Sequence, residues 1–269
     1  MSSSLASSAF GSAFKQWRRH RKLSQLELAL AADVSQRHVS WLETGRSQPS
    51  RDMVLRLAAA MELPLRDRNA LLHVAGYAPV YRESALTDDA MAPVHDALKH
   101  VLDHHNPLPA IVIDRLWNLV MTNDSALRLF SQVGDLAAMN AELGGGERIN
   151  FALLTLHPEG LRNIIANWGD VGPALVQRMS SEAMSTGDPE LRAQFEKWIA
   201  LAGDVDAFGS PFPPLLPVLP LELALGDVRL SLFSTLSTFG TPQDITTDEL
   251  RVEAFYPADA ATAAFFRNT

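Results

Sequence analysis

LSQLELALAADVSQRHVSWLETGRSQP, residues Leu23 to Pro49, decides the fold of the N-terminal part of this chain. It reads as two short helices joined by a tight turn and followed by a polar exit loop. Ser24, with Glu27 three residues on, matches the S-x-x-E capping box, in which each side chain satisfies a backbone donor at the helix start. Leu26, Leu28, Ala29 and Leu30 predict a buried stripe, and small Ala29 lets the two helices approach closely. Ser35 offers a second N-cap, and Val39 and Leu42 carry the inner face of the second helix. Its outer face is then Gln36, Arg37, His38, Ser40 and Trp41. Long donors and acceptors on one exposed helix are what reading base edges in a major groove requires. Caps and a polar face alone fit any small helical hairpin. The order of residues is more specific: Val34, Val39 and Leu42 fall where such a motif buries side chains, and Gly45 can take positive φ in the Glu43-Thr44-Gly45-Arg46 exit.

On these residues the segment resembles the Cro/CI-type (XRE) helix-turn-helix, over roughly Phe10 to Tyr77. Asp33 stands at the turn where many members carry Gly; Asp tolerates left-handed geometry, so the turn is expected to be intact. The partner implied is double-stranded DNA. Gln36 and Arg37 are the expected base readers, since Arg can grip guanine and Gln adenine in a bidentate fork. Matching to the motif makes Ser24, Gln25, Ser40 and Arg46 expected phosphate contacts, and Ser35 and His38 complete the DNA-facing set. Trp41, one turn beyond Arg37, either presses on a thymine methyl or packs on its own domain.

The chain has 269 residues, 47% of them apolar, enough to bury a core and too many for a disordered chain. The absence of cysteine excludes disulfides, thiolate zinc sites and cysteine nucleophiles, and agrees with a reducing cytoplasm. No apolar run reaches the roughly 18 residues of a membrane helix. The N-terminus, MSSSLASSAFGSAF, lacks a basic start followed by an apolar block, so residues 1–9 are expected as a flexible Ser-rich tail rather than a secretory signal. The net charge of −8 looks wrong for a DNA-binding chain, but it divides: residues 1–80 carry +5 and residues 81–269 carry −13. Phosphate attraction is screened over about 10 Å, so a local basic module suffices. Lys15, Arg18, Arg19, Arg21 and Lys22 cluster at the end of the first helix; beside a helix-turn-helix they are expected to touch the DNA backbone.

Five short helices are predicted in residues 10–78: Phe10 to Lys22, near 24–31, near 35–43, a Ser50-capped helix to about Met61, and Pro64 to Ala75 ending at Gly76. Residues 79–92 read as a linker. Residues 93–269 change character. A helix from Pro93 to His104 precedes a hairpin of Ile111–Ile113 and Leu116–Met121 around Asp114-Arg115. Helical material fills roughly 124–132 and 149–201. Leu219–Leu225 and Val228–Leu236 flank Gly226-Asp227, a strong two-residue hairpin turn. A strand near 250–256 and a helix at 258–267 close the chain. The expectation is an α+β domain, an antiparallel sheet with helices on one face. That is a PAS-like arrangement, although periodicity alone does not select it.

Three scattered segments carry a second resemblance: His105-Asn106-Pro107-Leu108-Pro109-Ala110 with Ile113 to Asn118; Leu156-His157-Pro158-Glu159-Gly160-Leu161-Arg162 with Asn167-Trp168; and Gly240-Thr241-Pro242-Gln243-Asp244-Ile245-Thr246. Together they resemble the MmyB-like ligand-binding domain found behind Cro/CI-type modules in bacterial regulators, over roughly residues 94–267. The resemblance implies a PAS-like fold and a small apolar ligand, with fatty acids the suggested class. Candidate walls are Trp117, Leu119, Met121, Phe130, Leu154, Ile165, Trp168, Leu175 and Phe233, although for any single one of them a plain core position is the better reading. A carboxylate head would need a donor: Arg162 and Arg178, with Asn167 and His157 behind them, Arg being favoured for bidentate pairing.

His95, His100, His104 and His105 invite a metal reading, since His100 and His104 are spaced i, i+4 and Asp96 lies one turn earlier. No third-ligand motif follows, so a wet, His-rich helix face is the better reading. Catalytic signatures such as G-x-S-x-G, H-E-x-x-H and the P-loop are absent. Gly144-Gly145-Gly146 has no Lys-Ser/Thr behind it. No cofactor and no enzyme activity are expected. The whole reads as a cytoplasmic, homodimeric transcription regulator sensing a small molecule. An enzyme tethered to the helix-turn-helix would instead show a cleft of convergent polar groups. A protein-binding adaptor would show a solid core with an exposed apolar patch.

Overall fold

The computed structural model describes residues 2–205 and 217–268. The chain forms two compact units, one of Met1–Glu83 with Pro242–Asp248, the other of Ser84–Thr241 with Glu249–Thr269.

The first unit holds α1 (Ser2–His20), α2 (Gln25–Ala31), α3 (Gln36–Glu43), α4 (Arg51–Ala60) and α5 (Leu65–Val74). The predicted caps are made. Ser24 Oγ accepts from Glu27 N at 3.0 Å while the Glu27 carboxylate accepts from Ser24 N at 2.6 Å, and Ser35 and Ser50 accept from His38 N and Met53 N. Phe10 and Phe14, stacked 5.5 Å apart, pack with Leu28, Val39, Leu42, Val54, Leu57 and Leu72 into one core. Gly11 is needed where α1 meets the end of α3, because a Cβ there would lie 2.7 Å from the Leu42 and Glu43 carbonyl oxygens. Asp33 takes φ +51° and Gly45 φ +70°, as the turn and the exit require.

Two local expectations are corrected. The segment expected as a tail is helical from Ser2, since no proline stands between Ser2 and the Phe10–Phe14 anchor to stop the helix. Leu26 and Leu30 are 51% and 73% exposed instead of buried. At about 100° per residue they lie some 200° around α2 from Leu28, so one short helix cannot bury the whole apolar run.

The segment Pro242–Asp248, which the sequence places with the second domain, is built into this first unit. Ile245 is buried, and its N–H donates to the Arg82 carbonyl at 2.8 Å. Residues 79–83, read as linker, also belong here; Asn69 binds Val80 N, Tyr81 N and Tyr81 O.

The second unit opens with α6 (Ala92–His105), then β1 (Ala110–Ile113), β2 (Leu119–Thr122), α7 (Asp124–Val133), α8 (Leu136–Glu142), α9 (Phe151–Leu156), α10 (Trp168–Ser185) and α11 (Pro189–Leu201). After the β3 (Leu221–Leu225) and β4 (Val228–Ser237) hairpin the chain passes through the short α12 (Ile245–Glu249), all but its last residue belonging to the first unit, and returns as β5 (Arg251–Pro257) and α13 (Ala260–Asn268). The five strands form one antiparallel sheet in the order β2-β1-β5-β4-β3. Gly226 at φ +59° makes the predicted hairpin turn. Leu116 and Trp117 sit in the β1–β2 turn rather than in a strand, with Trp117 at φ +62° and Asp114 accepting from Leu116 N and Asn118 N. α8, capped by Asp135, was not expected.

Alternation along β1 divides the core. Ile111 and Ile113 face Trp117, Phe151, Met179 and Phe195; Ala110 and Val112 face Leu98 and Leu102 of α6. Helices therefore cover both faces of the sheet, not one as expected, because β1 is apolar at every position and buried throughout.

Candidate functional site

On the first unit the functional surface is α3. Val39 and Leu42 are fully buried, which fixes the opposite face outward. That face presents Gln36 and Arg37, both exposed, with His38 and Ser40 half-buried at its sides. Trp41 is not packed into the core. It is 36% exposed, and the Arg37 guanidinium lies over its ring, 4.4 Å from the centroid.

The expected phosphate contacts fare unequally. Ser24 and Ser35 are exposed at helix starts, their hydroxyls engaged as caps, and Arg46 is exposed on the exit loop. Gln25 donates from Nε2 to Glu43 at 2.8 Å. Arg18, expected in the basic cluster, is buried at 8% exposure: Nε meets Glu43 Oε1 at 2.6 Å and Nη1 donates to the Leu23 carbonyl at 2.5 Å. Burial pushes the Glu43 carboxyl up, but the bonds from Arg18 and Gln25 outweigh it and hold the group below the ordinary carboxylate range. Arg21 donates to the Glu62 carbonyl. Of that cluster Arg19 and Lys22 remain exposed for backbone contact.

In the second unit a cavity of about 320 Å³ opens between the sheet and α7, α9 and α10. Ile111, Ile113, Leu221, Leu223, Leu232 and Phe255 form its floor, and Leu129, Val133, Phe151, Val171 and Ala174 are among its walls. Of the predicted residues, Trp117, Phe130, Ile165, Leu175, Arg178 and Phe233 line it. Arg178 and Glu253 are the only ionisable residues among the described lining. Pattern reading missed Glu253, Phe255 and Ser234. Glu253 stands opposite Ile111 across the β1–β5 ladder, a pairing that no local signal reveals.

Residues 94–268, well over half of the chain, match the family model of the MmyB-like transcription regulator ligand binding domain. The chain belongs to the MmyB-like transcription regulators. Residues 9–71 of this regulator match a helix-turn-helix domain. The MmyB-like regulator is thus a DNA-binding transcription regulator with a ligand-sensing domain. Among solved structures it is similar to the clp gene regulator ClgR from C. glutamicum, at 29% identity over 27% of this chain and 90% of that one, with a TM-score of 0.24. An RNA-binding light-oxygen-voltage receptor matches at 14% identity over 97% of this chain and 62% of that one, with a TM-score of 0.26. No curated protein matches.

The remaining predicted ligand contacts of the MmyB-like regulator lie off the cavity. Leu154 is fully buried in the core and Leu119 packs beside it. Met121 packs with α6 on the other face of the sheet: it pairs with Val112 while Leu119 pairs with Ile113, and the irregularity in the β1–β2 register between them puts the two β2 side chains on opposite faces. Arg162 stacks over Trp168 at 4.6 Å and donates to the Ala202 carbonyl, so both serve packing. Asn167 bonds Pro220 O and Glu222 N, pinning β3, and His157 Nδ1 accepts from Glu159 N. The α6 histidines are engaged elsewhere: His104 Nδ1 pairs with the His100 carbonyl at 2.9 Å, their rings lie 4.0 Å apart, and His105 Nε2 pairs with the Phe255 carbonyl of β5 at 2.9 Å. No group of three or more potential metal ligands is assembled among the described residues, and no helix there is long and apolar enough to cross a membrane.

Proposed function

We propose that this MmyB-like regulator is a cytoplasmic bacterial protein that binds a specific operator as a homodimer, reading bases with Gln36 and Arg37, and that an apolar chain of the fatty-acyl class in the second unit's cavity alters that binding. The observation that carries the ligand half is the cavity itself. Its lining is carbon except at Arg178, Glu253, Ser234 and Thr155, and its volume falls at the low end of small-molecule pockets. An enzyme would converge polar groups there, and an adaptor would fill the space. The antiparallel sheet with helices between β2 and β3 supports the PAS-like description. Two-fold dimers on half-sites about one helical turn apart are the usual answer to the limited contact of one module.

A covalent route for coupling exists. β4 and β5 both line the cavity, through Phe233 and Glu253, and the segment joining them contains Pro242–Asp248, part of the DNA-binding unit. The test is an operator titration with and without straight fatty-acyl chains of graded length. The expected result is an operator affinity that changes with chain length; an affinity unchanged across the series refutes the reading. The mass spectrum of small molecules released from gently purified protein checks the ligand class directly.

A further inference from the structure

We infer that the head group accepted by this cavity is an uncharged hydrogen-bond acceptor, an acyl ester or amide carbonyl, rather than a free carboxylate. The inference rests on the cavity being the ligand site proposed above.

The polar end of the cavity is a closed set of charges. Arg178 Nε meets Glu182 Oε1 at 3.3 Å, and Arg178 Nη1 meets Glu253 Oε2 at 3.5 Å. Arg251 Nη1 lies 2.7 Å from the same Glu182 oxygen. Two guanidiniums face two carboxylates, so the cluster carries no net charge to offer an incoming anion. The other carboxylate oxygens are also engaged: Trp117 Nε1 donates to Glu182 Oε2 at 2.9 Å, and Ser234 Oγ donates to Glu253 Oε1 at 2.8 Å. The Arg178 guanidinium lies over the Trp117 ring, 4.4 Å from its centroid, which fixes its plane.

One group is left over. Arg178 Nη2 is buried and has no hydrogen-bond partner among the described residues. A buried donor without an acceptor is costly, so a ligand that brings an acceptor gains by filling it. A carbonyl oxygen does this without adding charge. A carboxylate would do it while placing a second anion next to Glu253 in an apolar, poorly solvated space, where like charges repel far more than in water. The cation that looks like a carboxylate anchor in the sequence is therefore already neutralised by its neighbours.

The test compares decanoic acid, methyl decanoate and decanamide on the full-length protein at neutral pH, read by native mass spectrometry and by the change in intrinsic tryptophan fluorescence. The chain is constant, so only the head differs. The ester and amide are expected to bind about tenfold or more tightly than the acid. Glu253→Gln leaves the cluster with one net positive charge, and should raise the acid-to-ester affinity ratio by about tenfold. Acid binding equal to or tighter than ester binding in the unmodified protein overturns the inference, and that comparison needs no variant. An acid-to-ester ratio untouched by Glu253→Gln in a folded variant also overturns it. Failure of all three chains to bind would instead overturn the ligand-site reading, and this inference with it.

Discussion

Asp248 accepts a hydrogen bond from the backbone N–H of Leu65 at 2.9 Å, across 183 residues of chain. α5 begins after Pro64, which has no side chain able to cap the first turn. Asp248 supplies the missing acceptor from a distant segment and sets a negative charge at the positive end of the helix. Asp248→Ala should therefore destabilise α5 by about 0.5–2 kcal/mol, with Asp248→Asn retaining most of the cap. Amide exchange in the first turn of α5 reads this locally. Unaltered protection in the Ala variant would show that the contact contributes nothing.

Glu43 joins Arg18 and Gln25 inside the DNA-binding unit, and its lowered pKa sets a direction with pH. A carboxyl held below its ordinary 4.5 adds stability that is fully present above that value and lost as pH falls through the folded value. The unit should weaken on acidification in that range. Glu43→Gln should remove this part of the pH dependence and lower stability at neutral pH by about 3–5 kcal/mol, because Arg18 is left buried with its charge uncompensated. Replacing both residues by Met should cost much less. Urea unfolding across pH for the unmodified protein and the two variants checks all of this; a steeper acid dependence in Glu43→Gln would be fatal to it.

The turn of the helix pair stores a smaller strain. Asp33 sits at φ +51°, where Gly has no Cβ to crowd the backbone. Asp33→Gly should leave stability about the same or slightly higher. Asp33→Val should lower it by roughly 1–2 kcal/mol, since a β-branched side chain fits left-handed geometry poorly. Thermal unfolding of the two variants separates the outcomes, and equal behaviour would remove the backbone explanation.

These residues also show what a sequence can disclose. Ser24-Glu27, Ser35, Ser50 and Gly226-Asp227 act within a few residues of themselves, so their caps and turn were legible, and with them the helix pair and one hairpin. Arg18 reads as a surface cation because its partner Glu43 is 25 residues away and on another helix. Leu26 and Leu30 read as core because the apolar run looks continuous until it is wound onto a helix. In the cavity, local pattern found Trp117, Phe130 and Leu175, which lie in apolar stretches. It missed Glu253, whose place depends on β5 pairing with β1. It could not tell Arg178 from Arg162 as a lining residue, because only the fold sets one at the cavity and the other over Trp168.

Arg37 and Trp41 are one turn apart on α3, and their stacking bears on how the protein reads DNA. Arg37→Ala should weaken specific binding by about 1–3 kcal/mol and relax one base position, with little effect on random DNA. Trp41 would act through Arg37. The ring restrains a long, flexible side chain, which otherwise loses rotamer freedom on binding, and a surface cation–π contact is worth roughly 0.5–1 kcal/mol. Trp41→Ala should then weaken operator binding by about that amount in the unmodified protein and by almost nothing when Arg37 is already Ala. A direct contact between Trp41 and a thymine methyl predicts the opposite: the loss would persist in the Arg37→Ala background and would depend on that thymine. A double-mutant cycle on operator and base-substituted duplexes, at fixed salt, decides between them.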